Sequence, residues 1–324
     1  MDINDLQPGD VLLFSGEKGS LISKAIMWLT DAPVSHAAMA YNPSSIIVEE
    51  TPPAVQTNPA DERFVDRTIS VMRRTPPQSN YDPVLDAAAG YLNAEEPYAD
   101  ANLYLVGALL VYRKFTPDTP LQRIIIKILK KVTASIITYY NEHKYPGKLP
   151  MVCSQFVYQC YEDGGTDYQL RIKDGVLGST LGVTATVPSL LEQAIDRIRT
   201  DTTPAFQEAI SAHSGMLMAA TEMQSDEELA GELLQALQAA PTMLAEAAPP
   251  LENELVVAIH EFGQALHLVR TGAAIHENEL LQANAKHMLS NGMAMLKTEE
   301  AYFVTPADLL QHCPTLTEVG VISG

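Results

Sequence analysis

Residues Pro150 to Tyr161 read PMVCSQFVYQCY and hold two of the chain's three cysteines. A thiol attacks a carbonyl at neutral pH only when something favours its thiolate. The usual means are the exposed N–H groups of a helix N-terminus and a neighbouring imidazole. Cys153 follows a loop containing Pro146, Gly147 and Pro150, and it stands in the first turn of a predicted helix in which Phe156, Val157, Cys160 and Tyr161 recur with helical period. Cys160 falls two turns further along, on the apolar face, where burial raises a thiol's pKa and leaves it inert. Cys313, between His312 and Pro314, has neither arrangement. Position alone ranks Cys153 first, against the plain alternative of a small apolar residue packed in a buried helix.

A base must then reach that thiol. Of eight histidines, His36 is the one set on a predicted strand after a turn, in DAPVSHAAMAY. A strand holds an imidazole in one orientation better than a loop does. The next predicted strand ends in Glu49 and Glu50, and a carboxylate there could bond the far imidazole nitrogen and fix its tautomer. Adjacent strand residues face opposite ways, so only one of the two acids can do this. The segment HEFGQALH (260–267) looks at first like a zinc-protease signature. Its histidines are seven apart rather than the four a helical metal pair needs, and His276 does not repair that. We expect solvated helix-face histidines, no metal and no cofactor.

The elements that must position these groups follow along the chain. VLLF (11–14) reads as a buried strand after the turn PGD, and 20–31 as an amphipathic helix capped by Ser20, with Leu21, Ala25 and Trp28 beside Ile22, Ile26 and Leu29. SHAAMAY and SIIVEE form a predicted hairpin ended by Pro52 and Pro53, and TISVMRR (68–74) is a third strand. Three helices are expected over DPVLDAAAGYLNAEEP, ANLYLVGALLVYRKF and PLQRIIIKILKKVTASIITYYNEHK; the last has an apolar stripe of Leu121, Ile124, Ile125, Ile128, Leu129 and Val132. From Val187 to about Lys297 the chain reads as several short helices, and AYFVTPADLLQHCPTLTEVGVISG as a strand, a turn and a short helix.

Composition bounds the rest. The chain has 324 residues, 46% hydrophobic and 19% charged, an ordinary globular balance. Three cysteines without paired spacing argue against a disulfide framework. A net charge of −19 argues against a nucleic-acid partner. The N-terminus lacks the basic region of a secretory signal, so synthesis as a cytoplasmic protein is expected, with any export by a route that reads no signal peptide. Charge is uneven: Asp201 to Ala265 holds eleven acids and no Lys or Arg, whereas 121–148 carries Arg123, Lys127, Lys130, Lys131, Lys144 and Lys148 against Glu142 alone. The basic helix 121–144 could lie on an anionic membrane, and the acidic helices of 187–300 could dock a protein partner.

Together PGDVLLF, SHAAMAY, IIVEETPP and VCSQFVYQCY resemble the permuted branch of the NlpC/P60 papain-like superfamily, which includes YiiX/YebB-type proteins and, more distantly, lecithin:retinol acyltransferase-like enzymes. FVTPADLL is similar to the tail of YiiX-type sequences. The cysteine helix, first in ordinary members, comes last here; Gln155 stands where the peptidase subgroup has Gly. The resemblance implies an α+β, papain-like, circularly permuted core with a small antiparallel sheet over 1–186, an all-helical insertion over 187–300 and a C-terminal segment, 301–324, returning to the core. It implies a thiol hydrolase with Cys153 as nucleophile, His36 as base and Glu49 as the orienting acid, with Glu50 as the adjacent fallback. The backbone N–H of Cys153 would serve the oxyanion hole, with a second donor unnamed. The implied substrate is a cell-wall peptide amide; rivals are a lipid acyl ester handled by the same residues, possibly in a secreted effector, and an inactive binding module.

Overall fold

The computed structural model describes residues 1–42, 45–96, 99–114, 119–143, 150–173, 251–271 and 303–324, together with 175, 193–194, 196–197, 200–206, 208, 225, 228–229, 231–233 and 235. The fold is mixed α+β, and the chain divides into two compact units. The first comprises Met1–Ala99, Pro150–Ser179 and Ala301–Gly324, and the second Asp100–Leu149 and Thr180–Glu300. This differs from the boundaries expected from sequence, because residues 100–149 fall in the same unit as 180–300.

The first unit is built on β1 (Val11–Ser15), β2 (Val34–Asn42), β3 (Ile46–Thr51), β4 (Ala54–Pro59), β5 (Thr68–Arg74) and β6 (Leu316–Ser323). They form one antiparallel sheet in the order β4-β3-β2-β1-β5-β6. Its helices are α1 (Leu21–Thr30), α2 (Ala60–Phe64), α3 (Asp82–Asn93), α6 (Cys153–Asp163) and α8 (Pro306–Gln311). Val11, Leu12, Leu13 and Phe14 are buried to a residue, which is why β1 reads as an unbroken apolar run rather than an alternating one. Leu12 and Phe14 join Ala38, Ala40, Ile47, Ile69 and Val71 in a core closed by Ala60 and Phe64 of α2. Helix α6 packs against β2 and β3 and is buried throughout Cys153–Tyr161. Gly9 has φ +84°, and a Cβ there would strike the Tyr81 ring at 2.6 Å, so the PGD turn admits little but glycine.

Two expectations need correction, and one strand was not expected. Pro52 and Pro53 end β3 as the sequence indicates, but they do so as the turn into β4, where Thr51 pairs Ala54. As an edge strand, β4 tolerates Pro59 at its end. The C-terminal order is reversed, with the short helix α8 first and the strand β6 after it. In α1, Ser20 caps as expected, its Oγ accepting from the N–H of Ser23 at 3.1 Å. However, Leu21, Ile22 and Trp28 are exposed, while Ser23, Leu29 and Thr30 are buried. Hydrophobic period located the helix but not the side it turns inward.

The second unit contains α4 (Asp100–Lys114), α5 (Thr119–His143) and α7 (Asn253–Thr271), with α5 packed on both α4 and α7. The α5 stripe from Leu121 to Val132 is buried as expected. Three of its basic residues are paired: Arg123 with Glu252 at 3.9 Å, Lys127 with Glu232 at 2.9 Å and Lys130 with Glu254 at 2.5 Å. The acid-only and base-rich stretches thus meet in one packing, and three of the bases a membrane contact would use already face carboxylates. Lys144 and Lys148 and most of 187–300 lie outside the described residues. No described helix is long and apolar enough to cross a membrane.

Phe14 touches the rings of both Phe64 and His36 from a fully buried position. Phe14→Ala should lower unfolding free energy by about 3–5 kcal/mol in urea titration, through the cavity it leaves.

Candidate active site

His36 is fixed by the sheet before any polar partner acts on it. It pairs across β1–β2 with Phe14, and the register shifts at the next position, between Phe14 and Ser15. Such a bulge re-aims the residue beside it. The Phe14 ring stands edge-on to the imidazole with centroids 5.2 Å apart, and the His36 side chain keeps 16% of its surface in contact with solvent.

Glu49 meets this imidazole at 2.6 Å, Oε2 to Nε2. Its carboxylate has no exposed surface, so all its hydrogen bonds must come from protein. Arg63 supplies two, Nε to Oε1 at 2.6 Å and Nη2 to Oε2 at 2.9 Å. Asn58 Nδ2 donates a third to Oε1 at 2.8 Å. Asn58 reaches it as the diagonal neighbour on β4, where Glu49 itself pairs Gln56; Arg63 comes from α2. Burial alone would raise the Glu49 pKa, but the His36 bond and charge, and then Arg63, bring it down to about 2. Glu50, not the orienting acid, faces away from His36. Its pKa is pushed up to about 9 by burial first, then by the charges of Glu96 and Cys153.

With Nε2 taken by Glu49, Nδ1 is the nitrogen left to face Cys153, and His36 is hydrogen-bonded to that thiol. Cys153 is the first residue of α6, next to the N-cap Val152. Burial favours its neutral form, but the charge and hydrogen bond of His36 and the backbone N–H groups of Ala37 and Ser154 outweigh it and lower the thiol pKa. The imidazole responds in kind: burial opposes its charge, yet the Cys153 sulfur and then Glu49 raise it to about 9. The pair therefore favours thiolate and imidazolium, the form in which a thiol is both nucleophilic and next to its proton source. Cys160 and Cys313 are buried and unpaired as disulfides, and burial raises the Cys313 thiol.

Gln155, at the place where the resembled peptidases carry glycine, holds the helix start: its Oε1 accepts the Val152 N–H at 3.1 Å. Ser154 Oγ donates to the Val304 carbonyl at 2.8 Å, which ties the nucleophile's turn to the C-terminal segment. There Thr305 and Asp308 bond reciprocally at the head of α8. The expected set Cys153, His36 and Glu49 is thus brought together. Arg63 and Asn58 were missed from sequence; the signal available was the requirement itself, since a carboxylate inside a protein calls for donors nearby, and NPADERF supplies both. Of the zinc-like segment, His260 is buried on α7 rather than solvated, and His276 lies outside the described residues. Among the described residues no cluster of three or more His, Cys, Asp or Glu could hold a metal.

Glu49 stabilises the fold fully above the ordinary carboxylate pKa of 4.5, and the contribution disappears as pH falls through about 2. On that shift Glu49→Gln should cost on the order of 3 kcal/mol at pH 7, and the deficit in urea unfolding should shrink steadily below about pH 4.5. No protein-family model matches the chain and no curated protein matches it, so what the site can do is read from its own residues.

Proposed function

We propose that the protein is a cysteine-nucleophile hydrolase acting on an amide bond, with a cell-wall peptide as its substrate class. The observation that carries this reading is the Cys153 thiol at a helix N-terminus, bonded to an imidazole whose other nitrogen is held by a buried carboxylate. The Cys153 sulfur attacks the carbonyl carbon, and the C–N bond breaks as His36 passes its proton to the leaving amine. Water, losing a proton to His36, then attacks the thioester; the acid leaves and the thiolate–imidazolium pair returns. The N–H groups at the start of α6 are available in kind to meet the oxyanion of both steps. The choice of a wall peptide rests on the resemblance to the permuted NlpC/P60 branch.

One observation favours a second substrate class, a lipid acyl ester. Leu21, Ile22 and Trp28 project from α1, the segment that leads from Phe14 to His36, and an acyl chain would find apolar surface there.

Iodoacetamide labelling with peptide mapping tests the nucleophile. Cys153 should label selectively at about pH 6, where an ordinary thiol is protonated, and His36→Ala should slow it about 100-fold or more. Equal, slow labelling of all three cysteines, indifferent to His36, would exclude the hydrolase. Wall peptides and phospholipids offered to wild type and Cys153→Ala would then separate amide from ester cleavage.

A further inference from the structure

Glu49 and Glu50 are adjacent on one strand and have opposite surroundings. Glu49 has Arg63, Asn58 and His36 around it; Glu50, on the other face, has no hydrogen-bond partner on either oxygen and no exposed surface. That face is the one α6 packs on. A second buried acid is delivered to the same place. After α3 ends, Glu95 takes the left-handed conformation, φ 50°, and turns the chain inward so that Glu96 is fully buried. The Glu96 carbonyl accepts the N–H of Val55 at 3.0 Å, and Val55 is Glu50's ladder partner. Three residues on, the Ala99 N–H donates to Met151 O at 3.0 Å, two residues before Cys153. Glu96 is thus held beside Glu50's ladder partner, and Ala99, three residues on, beside the approach to the nucleophile's helix.

We propose that Glu50 and Glu96 form a buried carboxyl pair behind Cys153, that the pair keeps its proton on Glu50 while Cys153 is a thiolate, and that Glu50 is thereby a positioning residue for the nucleophile's charge. The inference rests on Cys153 being the activated thiol described above. The groups that act on Glu50 are Glu96 and Cys153, both acids. The imidazole of His36 is bonded to Glu49, which Arg63 also holds, and it is not among the groups that act on Glu50. A second anion beside the thiolate would have no donor and no counter-charge of its own, so the thiolate and a Glu50 carboxylate exclude one another. The coupling is reciprocal: when Cys153 is acylated or alkylated and its anion is gone, Glu50 holds its proton less tightly.

Infrared difference spectroscopy of the full chain reads this directly, through the carbonyl band of a protonated carboxyl, before and after alkylation of Cys153 with iodoacetamide. The untreated protein should show the band at neutral pH, Glu50→Gln should lack it, and alkylation should move its titration midpoint down by about one pH unit. If Glu50→Gln does not fold, the carboxyl resonances of wild type carrying carbon-13 glutamate, followed through the same alkylation, give the same midpoint without a substitution. Absence of the band at neutral pH, or a midpoint that alkylation leaves in place, overturns the pair. Fast His36-dependent labelling alongside an unmoved midpoint removes the pair alone, whereas slow labelling indifferent to His36 removes the hydrolase and the pair together.

Discussion

The first unit is organised around a carboxylate that has lost all contact with water. A buried Glu49 charge is tolerable only if it is met by donors held at fixed distance, and those donors come from three separate elements: β2, β4 and α2. Of these, β2 and α2 are placed by apolar packing around Phe14 and Phe64, and β4 by its pairing with β3. The packing sets the distances, and the distances make the charge affordable. The charge in turn fixes which imidazole nitrogen is left for Cys153. Removing one donor would therefore be felt at the sulfur even though no donor but His36 touches it.

In the second unit, ion pairs play a smaller part. The α5–α7 contact is made by the buried stripe from Leu121 to Val132 and by Leu255, Val256 and Ile259. The lysine–glutamate pairs on its flank are largely exposed and contribute little each. What they do decide is register. A base-rich helix facing Glu232, Glu252 and Glu254 has one arrangement that pairs charges and several that leave bases without a carboxylate, which disfavours misaligned packing.

Much of this was legible in the chain. Periodicity located β1, β2, β3, β5, α3, α5 and α6, and position relative to those elements singled out Cys153, His36 and Glu49. The failures share a cause. Sequence period shows that a helix has an apolar side, but which side faces the core depends on neighbours distant in sequence, as the exposed Leu21, Ile22 and Trp28 demonstrate. Pro52 and Pro53 do end β3, but only a partner strand shows that they are also the turn into β4. Arg63 and Asn58 have no motif; only the burial of Glu49 gives them a role. The resemblance places helix 121–144 in the core of 1–186, whereas its acidic partners lie more than a hundred residues later.

A last constraint concerns chain order. The nucleophile's turn is held by a carbonyl at Val304, and the β5 strand is covered by β6, which begins at Leu316. Tyr161, at the other end of the buried stretch of α6, reaches back to the carbonyl of Gly9, and the amino group of Met1 reaches forward to Val321. Early and late segments of the chain therefore interlock across the same sheet. Cys153 and His36 could meet in a partly folded chain, but without residues 303–324 Ser154 would lack its anchor and β5 would be an open edge. The site is thus held in part by late residues: the turn that bears Cys153 is anchored at Val304, and the β5 side of the sheet is closed by β6.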